Sequence, residues 1–256
     1  MAGHALSSPG LWRLRRLPVC ASTELELDRW LADRDPEPQL ARSGLVVVAR
    51  RQRHGRGQWQ RQWSSPAGGL WLSAAFCWPS SPATTGAPLT LATAVGLALE
   101  LEDLGLQPQI KWPNDLLVGG RKLAGILSRL RLQGQRVRWA RVGIGINGTN
   151  RVPVGAISLA EALQRRPHRR FHPRASATDL LPRVLAALNW AQTHCAQGER
   201  VLALAEARLL RPSQGWLHAG EPWQVSGLSS SGGLRLEREG RMLEIQSQEL
   251  SPETSA

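Results

Sequence analysis

Lys111-Trp112-Pro113-Asn114-Asp115-Leu116-Leu117-Val118-Gly119-Gly120-Arg121-Lys122-Leu123-Ala124-Gly125-Ile126-Leu127 is the stretch that decides how this chain folds. Gly119-Gly120 has the form of a two-residue hairpin turn, since glycine takes positive φ at both central positions without steric cost. With that turn, Val118 faces Arg121, Leu117 faces Lys122 and Asp115 faces Ala124. Strand residues two apart share a face. Lys111, Asp115 and Lys122 therefore project to one side, provided that Pro113 leaves the alternation intact. Asp115 and Lys122 are then diagonal neighbours, about 7–8 Å apart. Gly125 leaves room beside Asn114 for a flat group. One carboxylate and two ammonium groups on one face suit the phosphates of a magnesium nucleotide. An exposed ion pair beside a hairpin is the alternative.

Of the 32 basic residues only Lys111 and Lys122 are lysines. Arginine cannot replace the compact, mobile ammonium that follows a phosphate oxygen, so lysine kept at these two positions points to chemistry. The net charge of +12 raises a nucleic-acid partner as a rival function. The arginines are scattered, however, apart from Arg13–Arg16, Arg50–Arg61 and Arg165–Arg174. Eleven Trp and no Tyr indicate compositional skew as readily as a binding surface. At 256 residues the chain can bury one main core and carry a small second domain. No apolar run approaches the ~20 residues that span a bilayer. Met1–Pro18 lacks the apolar stretch of a signal peptide. A cytoplasmic address with no membrane partner is expected. Cys20, Cys77 and Cys195 have no metal spacing, and neither do His4 and His54; the cysteines read as small buried hydrophobes.

Outward from the hairpin, Ser22-Thr23-Glu24-Leu25-Glu26 opens a helix to about Arg34, with Thr23 and Glu26 at capping-box spacing. Leu45–Ala49 and Gly68–Phe76 read as strands. Pro88–Leu104 reads as a helix stopped by Gly105. Arg138–Asn147 is a strand, and Thr178–Gln197 a helix closed by Gly198. A further helix covers about Glu199–Leu210. Beyond Pro212, short strands at Trp223–Val225, Leu234–Glu237 and Met242–Gln246 alternate with Gly/Ser turns. The expected class is α+β: a mixed sheet with flanking helices over 1–212, then a small β domain over 213–256.

Two more constellations carry chemistry. Gln52-Arg53-His54-Gly55-Arg56-Gly57-Gln58-Trp59 continues to Trp63-Ser64-Ser65-Pro66-Ala67-Gly68-Gly69-Leu70. It is too long for a turn. Glycines flanking Arg56 bring backbone close to a ligand, and the guanidinium grips phosphate or carboxylate as a planar fork. A solvated loop or an RNA-binding arginine–glycine tract explains the same residues. Gly143-Ile144-Gly145-Ile146-Asn147 ends a strand in small residues, which tight strand packing also explains. No nucleophile elbow, His-Glu-x-x-His or dinucleotide fingerprint is present. The residues alone describe an anion-gripping α+β protein.

In this order, the three motifs resemble the catalytic domain of biotin protein ligases. The likeness is closest from Ser22 to Asn147 and looser to about Leu250, where Glu249 is kept without a preceding glycine. The resemblance implies a class II aminoacyl-tRNA synthetase-like biotin–lipoate ligase fold with a C-terminal SH3-like β-barrel. It implies activation of biotin by ATP to biotinyl-5'-AMP and transfer to a lysine of the biotin carboxyl carrier domain of acetyl-CoA carboxylase. Ser22, Thr23, Gln52 and Gly55 would hold biotin, with Gly125 beside it. Arg56 and Lys122 would serve catalysis at the carboxylate and α-phosphate. Gly57, Gln58, Trp63, Lys111, Asn114 and Asn147 would hold the nucleotide. Asp115 would face Mg²⁺. Two departures stand out: Glu24 where the family commonly has Asn, and Gln58 where many bacterial members carry a second arginine. The short segment before Ser22 implies no DNA-binding domain. A lipoate or octanoate ligase or transferase of the same fold is the nearest alternative.

Overall fold

The computed structural model describes residues 11–32, 37–40, 42–78, 89–133, 136–165 and 175–246. Pro88 at the expected helix start, residues 166–174 of the third arginine cluster, Arg34, Glu249 and Met1–Gly10 lie outside them. The chain runs β1 (Trp12–Leu17), α1 (Thr23–Ala32), α2 (Glu37–Leu40), β2 (Gly44–Ala49), β3 (Gly55–Arg56), β4 (Gln62–Trp63), β5 (Leu70–Phe76), α3 (Leu89–Asp103) and β6 (Pro108–Lys111). It continues through β7 (Asp115–Val118), β8 (Arg121–Gln133), β9 (Arg136–Ile146), α4 (Leu159–Gln164), α5 (Ala177–His194), α6 (Gly198–Glu206), β10 (Trp216–His218), β11 (Glu221–Leu228), β12 (Leu234–Arg238) and β13 (Arg241–Ile245).

Seven strands form one sheet in the order β1-β2-β5-β9-β8-β7-β6. Only β1 and β2 pair in parallel; the other neighbours are antiparallel. The fold is thus the expected mixed α+β class. The two faces are set by strand alternation. In β2, Val46 and Val48 point into the larger core with α3, α5 and α6, while Leu45 and Val47 meet Leu27 of α1 and Leu40 of α2. Helix α3 is apolar on most sides because it lies between the sheet and α5. Gly96 lets the two helices touch: a Cβ there would sit 2.5 Å from the Ala187 carbonyl oxygen. The last four strands form an antiparallel sheet, β10-β11-β12-β13, and its Trp216, Val225, Leu234 and Leu236 join the larger core.

Several local expectations are corrected. Thr23 does not cap α1. Ser22 does, its Oγ accepting the Glu24 N–H at 3.2 Å, which frees Thr23 for other partners. Helix α5 ends at His194 and the chain turns over Cys195–Gln197. Gly198 is therefore the first residue of α6 and not the stop of α5. The strand β1 carries no alternating signal, because it runs Trp-Arg-Leu-Arg-Arg-Leu with its middle four residues exposed.

Candidate active site

The quoted hairpin folds with Val118 opposite Arg121 and Leu117 opposite Lys122, as the glycine turn requires. A bulge at Leu123 then shifts the register, and Asp115 pairs with Gly125 and not with Ala124. A second departure comes earlier. Trp112-Pro113-Asn114 is a turn, so Lys111 and Asp115 are cross-strand partners of an antiparallel pair and do not lie along one strand. Cross-strand partners share a face just as alternate residues do.

These registers align a row of residues across one face of the sheet: Lys111, Asp115, Gly125 and Gly145. The adjacent row holds Leu127, Gly143 and Ser73. Glycines in the middle make a depression with charged groups at one end and neutral polar groups at the other. All seven residues line a single cavity, and so do Ser22, Thr23, Gln52, Arg56, Gly57, Gln58, Trp63, Asn114 and Lys122.

At the charged end, Lys122 Nζ lies 2.6 Å from Asp115 Oδ2 and 4.8 Å from the centre of the Trp63 ring. The Lys122 backbone is fixed independently of its side chain. Its N–H donates to the Gly155 carbonyl at 3.0 Å, and its carbonyl accepts from Ile157 N–H at 2.9 Å. Burial holds the Lys111 ammonium below the usual lysine range; the Lys122 and Arg61 cations push it the same way, against Asp115. Asn114 lines the cavity, but its amide is engaged with the Ile126 carbonyl at 2.9 Å, clamping the turn onto β8.

At the neutral end, Gln52 Oε1 accepts from Thr23 N–H at 2.7 Å and from Thr23 Oγ at 3.0 Å. Gln52 Nε2 donates to Ser65 Oγ at 2.8 Å. Thr23 Oγ1 and Ser73 Oγ are 2.8 Å apart. This network ties α1, the segment after β2, and β5 into one frame. Buried polar groups are costly unless they are partnered, so this interlocked set holds its geometry.

The arginine–glycine loop folds back as a two-stranded ribbon, with Gly55 opposite Trp63 and Arg56 opposite Gln62. Gly55 does not open to the cavity. A Cβ there would sit 2.4 Å from the Trp63 carbonyl oxygen and 2.6 Å from Ser65 Oγ, so its close approach is to the ribbon itself. Arg56 is exposed at the cavity rim. The Trp63 indole lies on the glycine floor: a Cβ at Gly145 would come within 2.5 Å of Nε1, and one at Gly125 within 2.8 Å of Cζ3. The glycines of Gly143-Ile144-Gly145 thus face the cavity. Asn147 lies behind the wall. Its N–H donates to the Leu123 carbonyl at 3.0 Å, its Nδ2 reaches the Lys122 carbonyl at 3.4 Å, and its Oδ1 accepts from Asn150.

The sequence reading did not single out Ser73 or Trp216, which also line the cavity, as does Arg61 of the arginine–glycine stretch. Ser73 had a readable signal. It is the one polar residue in the strand Leu-Trp-Leu-Ser-Ala-Ala-Phe, buried throughout. Trp216 had none, since it reaches the hairpin from β10. Its ring lies 5.9 Å from Lys111 Nζ. Buried polar atoms without a partner include Glu24 Oε1, Trp63 Nε1, Asp115 Oδ1 and Trp216 Nε1, all on residues lining this cavity. Among the described residues no group of three His, Cys, Asp or Glu could hold a metal.

Residues 26–147 match the Biotin/lipoate A/B protein ligase family. The chain is 42% identical over 109 residues to the bifunctional ligase/repressor BirA of Bacillus subtilis, covering 42% of this chain and 33% of that protein. It is 37% identical over 117 residues to the biotin–[acetyl-CoA-carboxylase] ligase of Paracoccus denitrificans, covering 43% of this chain and 47% of that protein. The matched stretch thus spans a third to about half the length of these curated relatives. A biotin protein ligase from Aquifex aeolicus, solved in complex with biotin and ATP, superposes with a TM-score of 0.71 at 25% identity, covering 93% of this chain and 97% of that one. By motif order, sheet topology and these likenesses, residues 26–147 are similar to the biotin/lipoate A/B protein ligase family, and the chain has the fold of the biotin protein ligases.

Proposed function

We propose that the protein is a biotin ligase that activates biotin with ATP and transfers it to a lysine of a carrier domain. The observation that carries this reading is the single cavity with Lys122, Asp115 and Lys111 at one end, the Thr23–Gln52–Ser73 network at the other, and Arg56 at its rim. Two anions, a carboxylate and a triphosphate, meet only where cations offset their repulsion. In this reading the ureido ring lies at the neutral end, and the valerate carboxylate runs over the glycine floor toward Lys122. A carboxylate oxygen attacks the α-phosphorus of ATP, the bond to the β-phosphate oxygen breaks, and pyrophosphate leaves. Lys122 and Arg56 stabilise the charge on the α-phosphate. The carrier lysine amine then attacks the acyl carbon, and AMP departs.

Trp63, Lys111, Asn114, Gly57 and Gln58 are proposed to hold the nucleotide, with Asn147 acting from behind through the Lys122 backbone. Asp115 fits one carboxylate contact to magnesium, because its Oδ1 is buried without a partner beside the cavity. Magnesium usually keeps waters and binds through one or two carboxylates plus phosphates; it would neutralise phosphate charge. Residues 1–212 are proposed as the catalytic part and 213–256 as a β appendage that contributes Trp216 to the nucleotide end. A cytoplasmic setting is proposed; among the described residues no helix is long and apolar enough to cross a membrane. The lipoate reading gains less support, since the Paracoccus denitrificans relative and the solved structure cited above are biotin ligases by name.

Labelled biotin incubated with ATP and a biotin carboxyl carrier domain tests the proposal. Label on the carrier lysine, dependent on ATP, is expected. Transfer of lipoate in its place, or no transfer, contradicts it. A further expectation concerns Gln58, which offers hydrogen bonds without charge. Gln58→Arg adds a cation next to the loop's Arg56 and should slow dissociation of trapped adenylate several-fold. Unchanged or faster release by the variant, followed after dilution into unlabelled biotin, refutes this role.

A further inference from the structure

Glu24 lies one residue beyond the Ser22-Thr23 pair, and its side chain is turned into the cavity. It is 92% buried, at 8% exposure. Its two carboxylate oxygens have different fates. Oε2 accepts from Arg141 Nη2 at 3.0 Å, and Arg141 Nη1 meets Asp28 Oδ1 at 2.5 Å. Glu24 and Asp28 are one helical turn apart on α1, so together they grip one guanidinium. Oε1 has no hydrogen-bond partner. It points at Gly143, where an added Cβ would sit 3.2 Å away. Glycine at that position leaves the buried oxygen uncrowded by a side chain.

The other polar groups nearby are already committed. Gln52 Oε1 takes two donors from Thr23, Gln52 Nε2 is given to Ser65, and Thr23 Oγ1 is shared with Ser73. Glu24 Oε1 is thus an uncommitted strong acceptor at the neutral end. A buried, unsatisfied acceptor is costly, and a ligand bringing an N–H donor removes that cost. The Glu24–Arg141–Asp28 group has two negative charges against one positive, so a donor that is itself cationic is favoured further.

We propose that Glu24 Oε1 accepts a ring N–H of the bound ligand and selects for cyclic ureas, and still more for cyclic guanidinium analogues, in this site. The inference rests on the biotin reading, in which the two ureido N–H groups are the donors at that end. Glu24→Gln is the direct test. Arg141 only donates, so the amide oxygen turns to it, and the amide NH₂ then faces the cavity. The acceptor becomes a donor with almost no change of shape.

Dissociation constants for biotin and 2-iminobiotin, whose cyclic guanidinium is charged at neutral pH, are measured by calorimetry for both proteins. The inference expects Glu24→Gln to weaken biotin at least about tenfold and 2-iminobiotin by a larger factor. Equal weakening of both ligands, or none, overturns it while leaving the biotin reading standing. If the wild type binds neither ligand, the biotin reading falls and this inference falls with it. Should Glu24→Gln not fold, Glu24→Asp carries the test. It keeps the charge for Arg141 but withdraws the oxygen by one methylene, and the same unequal loss is expected.

Discussion

Lys122→Ala is expected to slow formation of the adenylate by about 10²–10³-fold while the protein stays folded. The size follows from where the ammonium sits. It is the mobile cation at the junction of the two proposed reactants, 2.6 Å from Asp115 and above the Trp63 ring. Charge stabilisation of this kind works in the transition state, where negative charge builds on the α-phosphate, so the loss falls on the chemical step. Removal also takes the cation from Asp115 Oδ2, whose Oδ1 already lacks a hydrogen-bond partner, and leaves Lys111 across the strand pair as its neighbouring cation. A carboxylate less well offset at that point repels the incoming phosphates. The fold survives because backbone hydrogen bonds to Gly155 and Ile157, not the side chain, hold this position. The ion pair is also partly exposed, and such pairs contribute little stability. Lys122→Arg should not rescue, since a planar fork cannot follow the oxygen as an ammonium does. Acid-quenched reactions with labelled biotin, beside a thermal melt, decide the matter; a wild-type rate in Lys122→Ala contradicts the assignment.

Gly55→Ala should disable ligand binding from outside the cavity. The new methyl group would meet the Trp63 carbonyl oxygen at 2.4 Å, Ser65 Oγ at 2.6 Å and Gln52 Nε2 at 3.1 Å. Two of these contacts are to atoms that cannot both retreat: the first is backbone of β4, and the second accepts the Gln52 hydrogen bond. Relief requires the ribbon to open or Gln52 to leave Ser65, and Gln52 is what holds Thr23. Overpacking of this sort costs about 1–3 kcal/mol, which lowers Tm by about 2–4 °C per kcal/mol in a protein of this size. Affinity for biotin is expected to fall at least about tenfold, because the neutral end loses its fixed geometry. Biotin titration of Gly55→Ala reports this. Wild-type affinity in a folded variant would mean that the ribbon and the Gln52 network act separately.

The parts of the fold that were legible are those in which one short signal fixes one geometry. Gly119-Gly120 fixed a tight turn, and β2, β5 and α3 followed from runs of apolar residues with clear ends. The bulge at Leu123 was not legible. Nothing in Lys-Leu-Ala-Gly marks which residue is left unpaired, and the bulge is settled by the neighbouring strand, where Gly125 must meet Gly145. Pro113 warned of a break, but not that the break would return the chain antiparallel. Lys111 and Asp115 still share a face because a cross-strand pair and an alternate pair give the same side. Trp216 was beyond reach, as its place depends on how the C-terminal sheet meets the core.

Several arginines have structural uses as partners of acids: Arg183 with Glu100 and Asp103, Arg208 with Glu102, Arg121 with Glu161, and Arg141 with Glu24 and Asp28. Such pairs leave the net charge of +12 unchanged.

Exchange of labelled pyrophosphate into ATP measures the first half-reaction without any carrier protein. Exchange that appears only when biotin is added, and not with lipoate, is the result expected if one cavity brings a biotin carboxylate to the α-phosphate. Exchange without biotin, or none in its presence, would contradict that claim.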